Sequence, residues 1–360
     1  MILTLTRILV SLLVLDLMVI VHELGHFLTA RFFGVRVKEF GVGFGPVLAK
    51  TVRKGILYSF RAIPFGGFVK LAGMEMAIEG GGEEEDTGPG SFGEQPTWKK
   101  CAIVLAGPLN NLILAAATLI LALAVIGIPT ALEERAIIGF VEPKTPAYEA
   151  GLTAGDRVVA LDGKPIETWE ELAKGIRASG GKPIALAIER DGRRLVRTVE
   201  PFFDPQIGGY RVGISPRYLF KRLGPLASIT TGVKYVYLTS LGLVEIVAQA
   251  LLGRARVPLA GPIGAIGTFV ESFQAGPWWF LQLVASINLF LAFFNLLPIP
   301  LPLLDGGWVV IYLLERIRRR EFTAEQKAAA QLFGLVVLLT FFLFVTYGDV
   351  VTGIKRYLNR

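Results

Sequence analysis

The chain has very few side chains of the kinds that most often carry covalent or acid–base chemistry. Its 360 residues include one cysteine and two histidines. A single cysteine, Cys101, excludes an intrachain disulfide framework, and its place at the start of an apolar run favours a small buried side chain over a nucleophile. The two histidines, His22 and His26, stand four residues apart, so histidine chemistry is confined to one short segment.

Charged residues are also scarce, at 19% of the chain, whereas 52% is hydrophobic and the mean hydropathy is +0.55. Soluble domains are usually about 25% charged. The apolar residues are concentrated in long blocks, which indicates membrane spans rather than one large core. The formal charge of +7 does not indicate nucleic-acid binding, because the basic residues cluster beside the apolar blocks as in membrane anchoring and no aromatic-plus-basic pattern is present.

Four blocks reach the roughly 20 residues that a membrane-spanning helix needs. They are Ile8–Leu28, Cys101–Ile128, Trp278–Leu297 and Gln331–Thr346. The first resembles a signal peptide, but no small-residue cleavage site follows it, so we expect a retained span. A further stretch, Pro225–Leu252, carries Lys234 and Glu245 among mildly apolar residues. It is predicted to be an interfacial amphipathic helix within a connector of residues 217–277.

Two segments between these blocks have the patterns of β structure and of a small domain. Val37–Leu71 is glycine-rich, alternates apolar with polar residues, and predicts one or two membrane-associated β-hairpins with a strand at Ile56–Ile63. Glu75–Gly93 is predicted to be a flexible loop. Residues 131–216 alternate short strands, helices and turns. The predicted fold is therefore an α-helical polytopic membrane protein of about four spans, whose core halves, 1–130 and 278–360, flank one inserted α+β domain.

Lysines and arginines near the span ends predict the orientation. They are frequent between spans one and two and between spans three and four, so both segments should be cytoplasmic. The α+β domain and both termini should then lie on the opposite side, although Lys355, Arg356 and Arg360 run against this assignment.

The motif His22-Glu23-Leu24-Gly25-His26 is the strongest chemical signal in the chain. Histidines at i and i+4 lie on one face of a helix and can reach one metal ion. Glu23 can accept a proton from the water that such an ion activates, and Gly25 leaves room for another backbone. Such a motif can arise by chance on a polar helix. Here it lies in an apolar block, where ionisable residues are costly and the default interpretation is functional.

A catalytic zinc usually has three protein ligands, and the candidate for the third is Asp305. Three prolines at alternate positions, ending at Pro302, hold the preceding chain extended, and non-helical backbone at that depth needs protein or a cavity around it. Counting four spans returns Asp305 to the depth of His22 and His26. A turn aspartate in a loop is the simpler alternative.

Several further residues are candidates with a structural alternative. Asn295 could hydrogen-bond a substrate backbone or an oxyanion, or only a neighbouring helix. Residues that join it as candidates for substrate binding are Pro298, Gly43, Gly66 and Gly67. The face formed by Gly107, Pro108, Asn110 and Asn111 favours helix packing over catalysis. Asp16, a lone acid in the first span, favours a structural hydrogen bond, and a water path to the metal is the alternative.

Five motifs in this order resemble the site-2 protease family, and within it the bacterial regulator-of-sigma-E protease group. They are HELGH at 22–26, GFGP at 43–46, GGFVK at 66–70, AGPLNN at 106–111 and NLLPIPLPLLDGG at 295–307. The resemblance implies that His22, His26 and Asp305 bind one zinc ion and that Glu23 is the catalytic base. It also implies a bacterial inner-membrane enzyme that cleaves single-span membrane proteins such as anti-sigma factors, with signal-peptide remnants as a second group, and with its active site towards the cytoplasm.

The same resemblance implies that the α+β domain is one extracytoplasmic PDZ domain that contacts a substrate or a peptide C-terminus. The segment PAYEAGLTAGDRV at 146–158 resembles the part that follows the first PDZ strand, and Gly213 and Ile214 resemble the peptide-binding loop. Space exists for one such domain, whereas some family members have two in tandem. Val37–Leu71 is implied to be a membrane-associated sheet whose strand at Ile56–Ile63 would hold an extended substrate.

Two other functions fit parts of the pattern. A membrane-bound PDZ scaffold with a structural zinc would need no base at Glu23. A transporter with broken helices is disfavoured because no internal repeat is visible. An intramembrane zinc endopeptidase is therefore the function that the sequence predicts.

Overall fold

A computed structural model describes residues 2–74, 88–204, 207–252, 262–299 and 304–358. The helices are α1 (Ile2–Phe32), α2 (Thr97–Val125), α3 (Pro146–Glu149), α4 (Trp169–Ala178), α5 (Pro225–Leu251), α6 (Pro262–Ala275), α7 (Pro277–Asn295), α8 (Asp305–Arg318) and α9 (Ala324–Leu358). The strands are β1 (Val37–Arg53), β2 (Ile56–Leu71), β3 (Ile128–Leu132), β4 (Ile138–Val141), β5 (Arg157–Leu161), β6 (Lys164–Pro165), β7 (Ile184–Arg190), β8 (Arg193–Val199), β9 (Phe202–Asp204), β10 (Gly209–Arg211), β11 (Ile214–Pro216) and β12 (Tyr218–Lys221). The chain divides into two compact units. The first contains residues 1–121, 229–270 and 281–360, and the second contains 122–228 and 271–280.

Among the described residues, four helices are long and apolar enough to cross a membrane. These candidate spans are Leu9–Phe32, Thr97–Val125, Pro277–Asn295 and Glu325–Gly348, and they lie over the four blocks that hydropathy predicts. Leu9, Leu13 and Leu17 are exposed on one face of α1, as expected of side chains that contact lipid.

The opposite face of α1 is buried, and its buried residues recur at helical spacing. Met18 is buried, and so is His22 one turn later. At Gly25 an added Cβ would lie 2.3 Å from the carbonyl oxygen of Ala106, so the helix α1 passes α2 in backbone contact. The predicted role of Gly25 is confirmed.

The two long strands β1 and β2 fold into a sheet of four segments in the first unit. Residues 47–53 pair antiparallel with 56–61. Residues 39–42 pair with 57–60 on one side, where the residue numbers of both segments increase in the same direction, so these two run parallel. On the other side they pair antiparallel with 67–70. The order is therefore 47–53, 56–61, 37–42, 67–71. Within the described part of the chain, the predicted strand Ile56–Ile63 is internal, and 67–71 is an edge segment.

A buried carboxylate links two neighbouring segments of this sheet. Glu39 is 7% exposed and accepts hydrogen bonds from the hydroxyl of Ser59 at 2.5 Å and from Nη2 of Arg61 at 2.9 Å. Burial by itself would raise the pKa of Glu39, but these hydrogen bonds and the charges of Arg61 and Lys70 outweigh it and hold the pKa below its usual range. The carboxylate therefore stays charged and ties segment 37–42 to 56–61.

The end of the predicted flexible loop Glu75–Gly93 is packed. Residues 75–87 lie outside the described residues. Beyond them, Arg36 donates its backbone N–H to Gly90, Phe92 donates to Ala72, and the ring of Phe92 is 2% exposed. Because Phe92 belongs to the apolar core of the first unit and Ser91 beside it is buried, this end of the predicted loop is anchored on the core.

Helix α5 covers the stretch predicted as an interfacial helix, and its contacts in the first unit are with two candidate spans. Val236 packs in a buried cluster with Leu119 of α2 and Leu289 of α7. The hydroxyl of Tyr235 accepts a hydrogen bond from Gln282 at 2.9 Å. An interfacial position for this helix remains a prediction.

The second unit contains the predicted α+β domain. Its largest sheet has the order β6-β5-β7-β8, and β4 pairs with β11 from the other end of the domain. The alternation of short strands and helices predicted for residues 131–216 is found in this unit. Thr168 caps α4 in a capping box with Glu171, while β3 and β12, which close the domain, were not predicted.

Candidate metal centre

Three side chains from two distant helices of the first unit converge on one point. His22 and His26 extend from α1, and Asp305 is the first residue of α8. His22 Nε2 lies 3.0 Å from Asp305 Oδ2, and His26 Nε2 lies 3.5 Å from Asp305 Oδ1. The ligand atoms of all three residues lie within 4.8 Å of one another. These residues are the three that the sequence singles out as metal ligands.

The spacing of the donor atoms fits a tetrahedral zinc ion. The two Nε2 atoms are 3.2 Å apart. Two nitrogens bound to zinc at about 2.0–2.1 Å with a tetrahedral angle are about 3.3 Å apart. Two imidazoles and one carboxylate are a common ligand set for zinc. A zinc ion between the two Nε2 atoms would accept both nitrogen lone pairs, which otherwise face each other.

Helix α2 fixes the proton on His26. Its Nδ1 lies 2.9 Å from the carbonyl oxygen of Ile103. A carbonyl can only accept, so Nδ1 must carry the proton and Nε2 must keep its lone pair for a metal.

His22 has the corresponding partner in Asn111 of the same helix. The amide Nδ2 of Asn111 lies 3.3 Å from His22 Nδ1, and the Oδ1 of Asn111 is buried with no hydrogen-bond partner in the described part of the chain. A half-turn of this amide makes Oδ1 the acceptor for a protonated Nδ1. That arrangement satisfies the buried oxygen and frees Nε2 of His22 for the metal.

The close approach of α2 depends on Gly107. An added Cβ at this position would lie 2.4 Å from His26 Nε2 and 2.7 Å from His22 Nε2. Any side chain there would occupy the space between the two ligands. Gly107 therefore serves the metal centre directly, beyond the helix packing that the sequence favours.

Asp305 is held in place by the first turn of α8. At Gly306 an added Cβ would lie 2.4 Å from the carbonyl oxygen of Leu297, so the turn packs against the end of the preceding segment. Gly306 and Gly307 are both buried. Of the three prolines predicted to bend the chain here, Pro300 and Pro302 lie outside the described residues.

A cavity of about 330 Å³ opens onto the three ligands. Glu23 lines it, next to the metal point, and so does Asn295 at the end of α7. The cavity also has an apolar wall that includes Val69 and Leu71 of the edge segment 67–71. A carboxylate, three metal ligands and side chains of segment 67–71 thus border one cavity.

The other candidates for substrate binding occupy different places. Gly67 packs on the side chain of Glu23, since an added Cβ would lie 3.3 Å from Glu23 Cγ. Gly66 and Gly43 adopt positive φ angles of 86° and 83°, which favour glycine. Pro298 is exposed and is not part of the cavity wall.

The candidates for a peptide loop, Gly213 and Ile214, carry structural contacts in the second unit. Gly213 has a φ of 88° and packs against Thr145, and its carbonyl accepts a hydrogen bond from the backbone N–H of Glu142 at 2.8 Å. Ile214 pairs with Val141.

Sequence reasoning missed two contributions to this centre. Asn111 and Gly107 were considered only as a packing face. Their signal is the four-residue spacing of Ile103, Gly107 and Asn111, which places three residues beside the histidines along two turns of one helix. This signal becomes visible only when α2 is known to cross α1 at Gly25.

The fold and the site together define the class of membrane-embedded metallopeptidases. The helices can span a membrane, and the centre consists of two histidines and one carboxylate beside a glutamate. Similarity to known proteins agrees with that class. Residues 10–341 match the Peptidase family M50, and the chain belongs to this family, the site-2 proteases. It is therefore a metalloprotease and a membrane protein, and zinc is the metal that the family implies.

Similar proteins extend over nearly the full length. A protein of Clostridium acetobutylicum, provisionally named zinc metalloprotease, is 30% identical over 97% of this chain and 98% of its own. A similarly named protein of Clostridium perfringens is 31% identical over 95% and 97%. Zinc metalloprotease RasP of Geobacillus kaustophilus is 26% identical over 96% and 98%.

Among solved structures, the PDZ domain of an SdrC-like protein from Listeria monocytogenes matches 24% of this chain and 92% of its own length, at 18% identity and a TM-score of 0.21. A TM-score this low carries no argument.

Proposed function

We propose that this protein is an intramembrane zinc endopeptidase that cleaves single-span membrane proteins within or beside their membrane segments. The observation that carries the proposal is the convergence of His22, His26, Asp305 and Glu23 on one cavity in a unit whose helices can span a membrane. Ionisable groups at such a depth are costly and mark functional sites.

The chemistry divides between the ligands and the glutamate. His22, His26 and Asp305 would hold one zinc ion, which when bound supplies Lewis acidity to activate water and polarise the scissile carbonyl. Glu23 accepts the proton of the attacking water and returns it to the leaving nitrogen. Asn295, on the cavity wall, hydrogen-bonds the substrate backbone or the developing oxyanion.

The edge segment 67–71 is the part of the sheet that would hold the substrate. A helical substrate has its amides bonded internally, so it must be extended before its carbonyl can be attacked, and pairing with a free strand edge does this. The strand Ile56–Ile63, which the sequence favours for this role, already has partners on both sides over residues 57–60. Segment 67–71 has no strand on its outer side among the described residues, and Val69 and Leu71 line the cavity.

The α+β domain would act as a single PDZ domain on the extracytoplasmic side. Its strand order, its two helices and the pairing of β4 with β11 from the opposite end of the domain support this assignment. Exclusion of bulky substrates is favoured over peptide capture, because Gly213 and Ile214 are engaged in contacts within the domain, with Thr145 and Val141.

The substrates would be anti-sigma factors already trimmed by another protease, with signal-peptide remnants as a second group. The enzyme would lie in the bacterial inner membrane, with its active site towards the cytoplasm. Lysine and arginine are frequent between spans one and two and between spans three and four, which supports that orientation.

A non-catalytic scaffold with a structural zinc is the alternative function. Glu23 argues against it, because a structural site has no use for a carboxylate beside its ligands, and such sites usually complete four protein ligands.

The test is cleavage of a single-span membrane protein by the purified enzyme in lipid vesicles, compared with Glu23→Gln. We expect cleavage by the wild type and a loss of at least 100-fold in the variant, because a general base is worth about 10²–10⁴ in rate. Zinc content should be equal in the two proteins. Equal cleavage by both would refute the proposed mechanism.

A further inference from the structure

Asp16 is an acidic side chain inside the first candidate span that the metal centre does not use. It is the only acid between Met1 and Val21, and its neighbours Leu13 and Leu17 are exposed and apolar. An acid at such a position is costly unless a specific partner compensates it. Its partner among the described residues is the backbone N–H of Gly66, which donates to Asp16 Oδ1 at 2.8 Å.

The Gly66 amide is available for this contact because it lies outside the ladder of the sheet. In the pairing of β1 with β2, Gly67 pairs with Val42 and Ile63 pairs with Phe44, and no pair is formed by residues 64–66. Gly66 stands in the gap with a φ of 86°, so its N–H does not serve a neighbouring strand.

Asp16 and Glu23 act on adjacent residues of β2. They are seven residues apart on α1, so they lie on the same face of the helix, about 10 Å apart along its axis. Asp16 binds Gly66, and the side chain of Glu23 packs on Gly67. The contact with Asp16 therefore fixes where the edge segment 67–71 begins relative to Glu23.

We propose that Asp16 is a positioning residue for substrate: by holding the Gly66 amide it sets the distance between the substrate-binding edge and the catalytic glutamate. The inference rests on the proposed function, because it assumes that segment 67–71 pairs with the substrate. It does not depend on the charge of Asp16, since only an acceptor oxygen is needed.

Two substitutions separate the acceptor from the charge. Asp16→Asn keeps an oxygen that can accept from Gly66, and Asp16→Leu removes it while preserving size and membrane insertion. Leu17→Ala, on the exposed face of the same turn, is the matched control. Each protein is purified at full length and assayed in vesicles with a single-span substrate for kcat, KM and zinc content, and hydrogen exchange is followed at the Gly66 amide.

We expect Asp16→Leu to raise KM up to about tenfold, the size of one lost hydrogen bond, with a smaller change in kcat and unchanged zinc. Asp16→Asn and Leu17→Ala should stay within about threefold of wild type. Exchange at Gly66 should accelerate in Asp16→Leu only.

Three outcomes would overturn the inference. They are wild-type KM in Asp16→Leu, unchanged exchange at Gly66, or an equal loss of kcat in Asp16→Asn and Asp16→Leu, which would assign the carboxylate to a water or proton path. If the wild type itself cleaves nothing, the proposed function fails, whereas the exchange measurement still tests the contact between Asp16 and Gly66.

Discussion

At the scale of single residues, the metal centre depends on side chains that do not bind the metal. His22 and His26 present Nε2 to one point because α2 occupies their other nitrogens, through Asn111 and the carbonyl of Ile103. Partners of this kind set both the tautomer and the direction of each ligand.

Replacing Asn111 with leucine should therefore weaken zinc binding. The leucine offers no acceptor to His22 Nδ1, so we expect a fall in zinc affinity of about 10–100-fold, measured by competition with a chromophoric chelator. Asn110→Leu is the matched control, because Asn110 donates to the carbonyl of Val21 at 3.0 Å and does not touch a ligand. Equal affinities in Asn111→Leu and Asn110→Leu would contradict the role of Asn111.

Gly107→Ala should strongly reduce zinc binding, although it adds only one methyl group. The added methyl carbon would lie 2.4 Å from His26 Nε2, so either the ligands or α2 must move. We expect zinc content and cleavage to be lost together, by more than tenfold. Gly242→Ala in α5 has nothing within 4 Å of the added carbon and should retain both. Wild-type zinc content in Gly107→Ala would show that the crossing of α1 and α2 is looser than described.

At the scale of elements, the sheet has two different edges. Segment 67–71 borders the cavity, and segment 47–53 is the opposite edge with exposed side chains such as Val52. Substrate pairing should be confined to the first edge.

Disulfide cross-linking can distinguish the two edges. In a Cys101→Ala background that also carries Glu23→Gln, Lys70→Cys should form a disulfide with a cysteine placed near the scissile bond of a single-span substrate. Lys50→Cys, on the segment 47–53, should not. Cross-linking of equal yield at both positions, read on a non-reducing gel, would exclude pairing at the edge 67–71.

The sequence predicts local features well, because hydropathy and turn chemistry act over a few residues. The four candidate spans and the alternation of short strands and helices within residues 131–216 follow from such patterns. The fold of Val37–Leu71 does not, because β1 pairs twice with β2 and the choice of neighbour depends on long-range contacts such as Glu39 with Arg61. For that reason the strand expected at the substrate, Ile56–Ile63, was the internal one.

The site follows the same division. His22, Glu23 and His26 are visible from one motif, and Asp305 from the count of spans between them. Asn111 and Gly107 could not be assigned, because the motif predicts that another backbone approaches Gly25 but not that this backbone is α2 at Ala106.

At the scale of the whole molecule, the account requires one orientation in the membrane. Arg320, between the third and fourth candidate spans, should be cytoplasmic, and Asp191, in the turn between β7 and β8, should be extracytoplasmic. Both residues are exposed. In the Cys101→Ala background, a membrane-impermeant maleimide should label Asp191→Cys in cells whose inner membrane is intact, and Arg320→Cys only after permeabilisation. The reverse pattern would contradict the orientation and the assignment of cytoplasmic sides from basic residues.

The central claim is that this metalloprotease cuts inside a membrane segment. The most direct measurement is mass spectrometry of the products formed from a single-span substrate in lipid vesicles, with Glu23→Gln as the inactive reference. The account predicts a new terminus within the apolar segment of the substrate, at the cytoplasmic half, that is absent from the Glu23→Gln reaction. Termini found only in the soluble flanks of the substrate would contradict it.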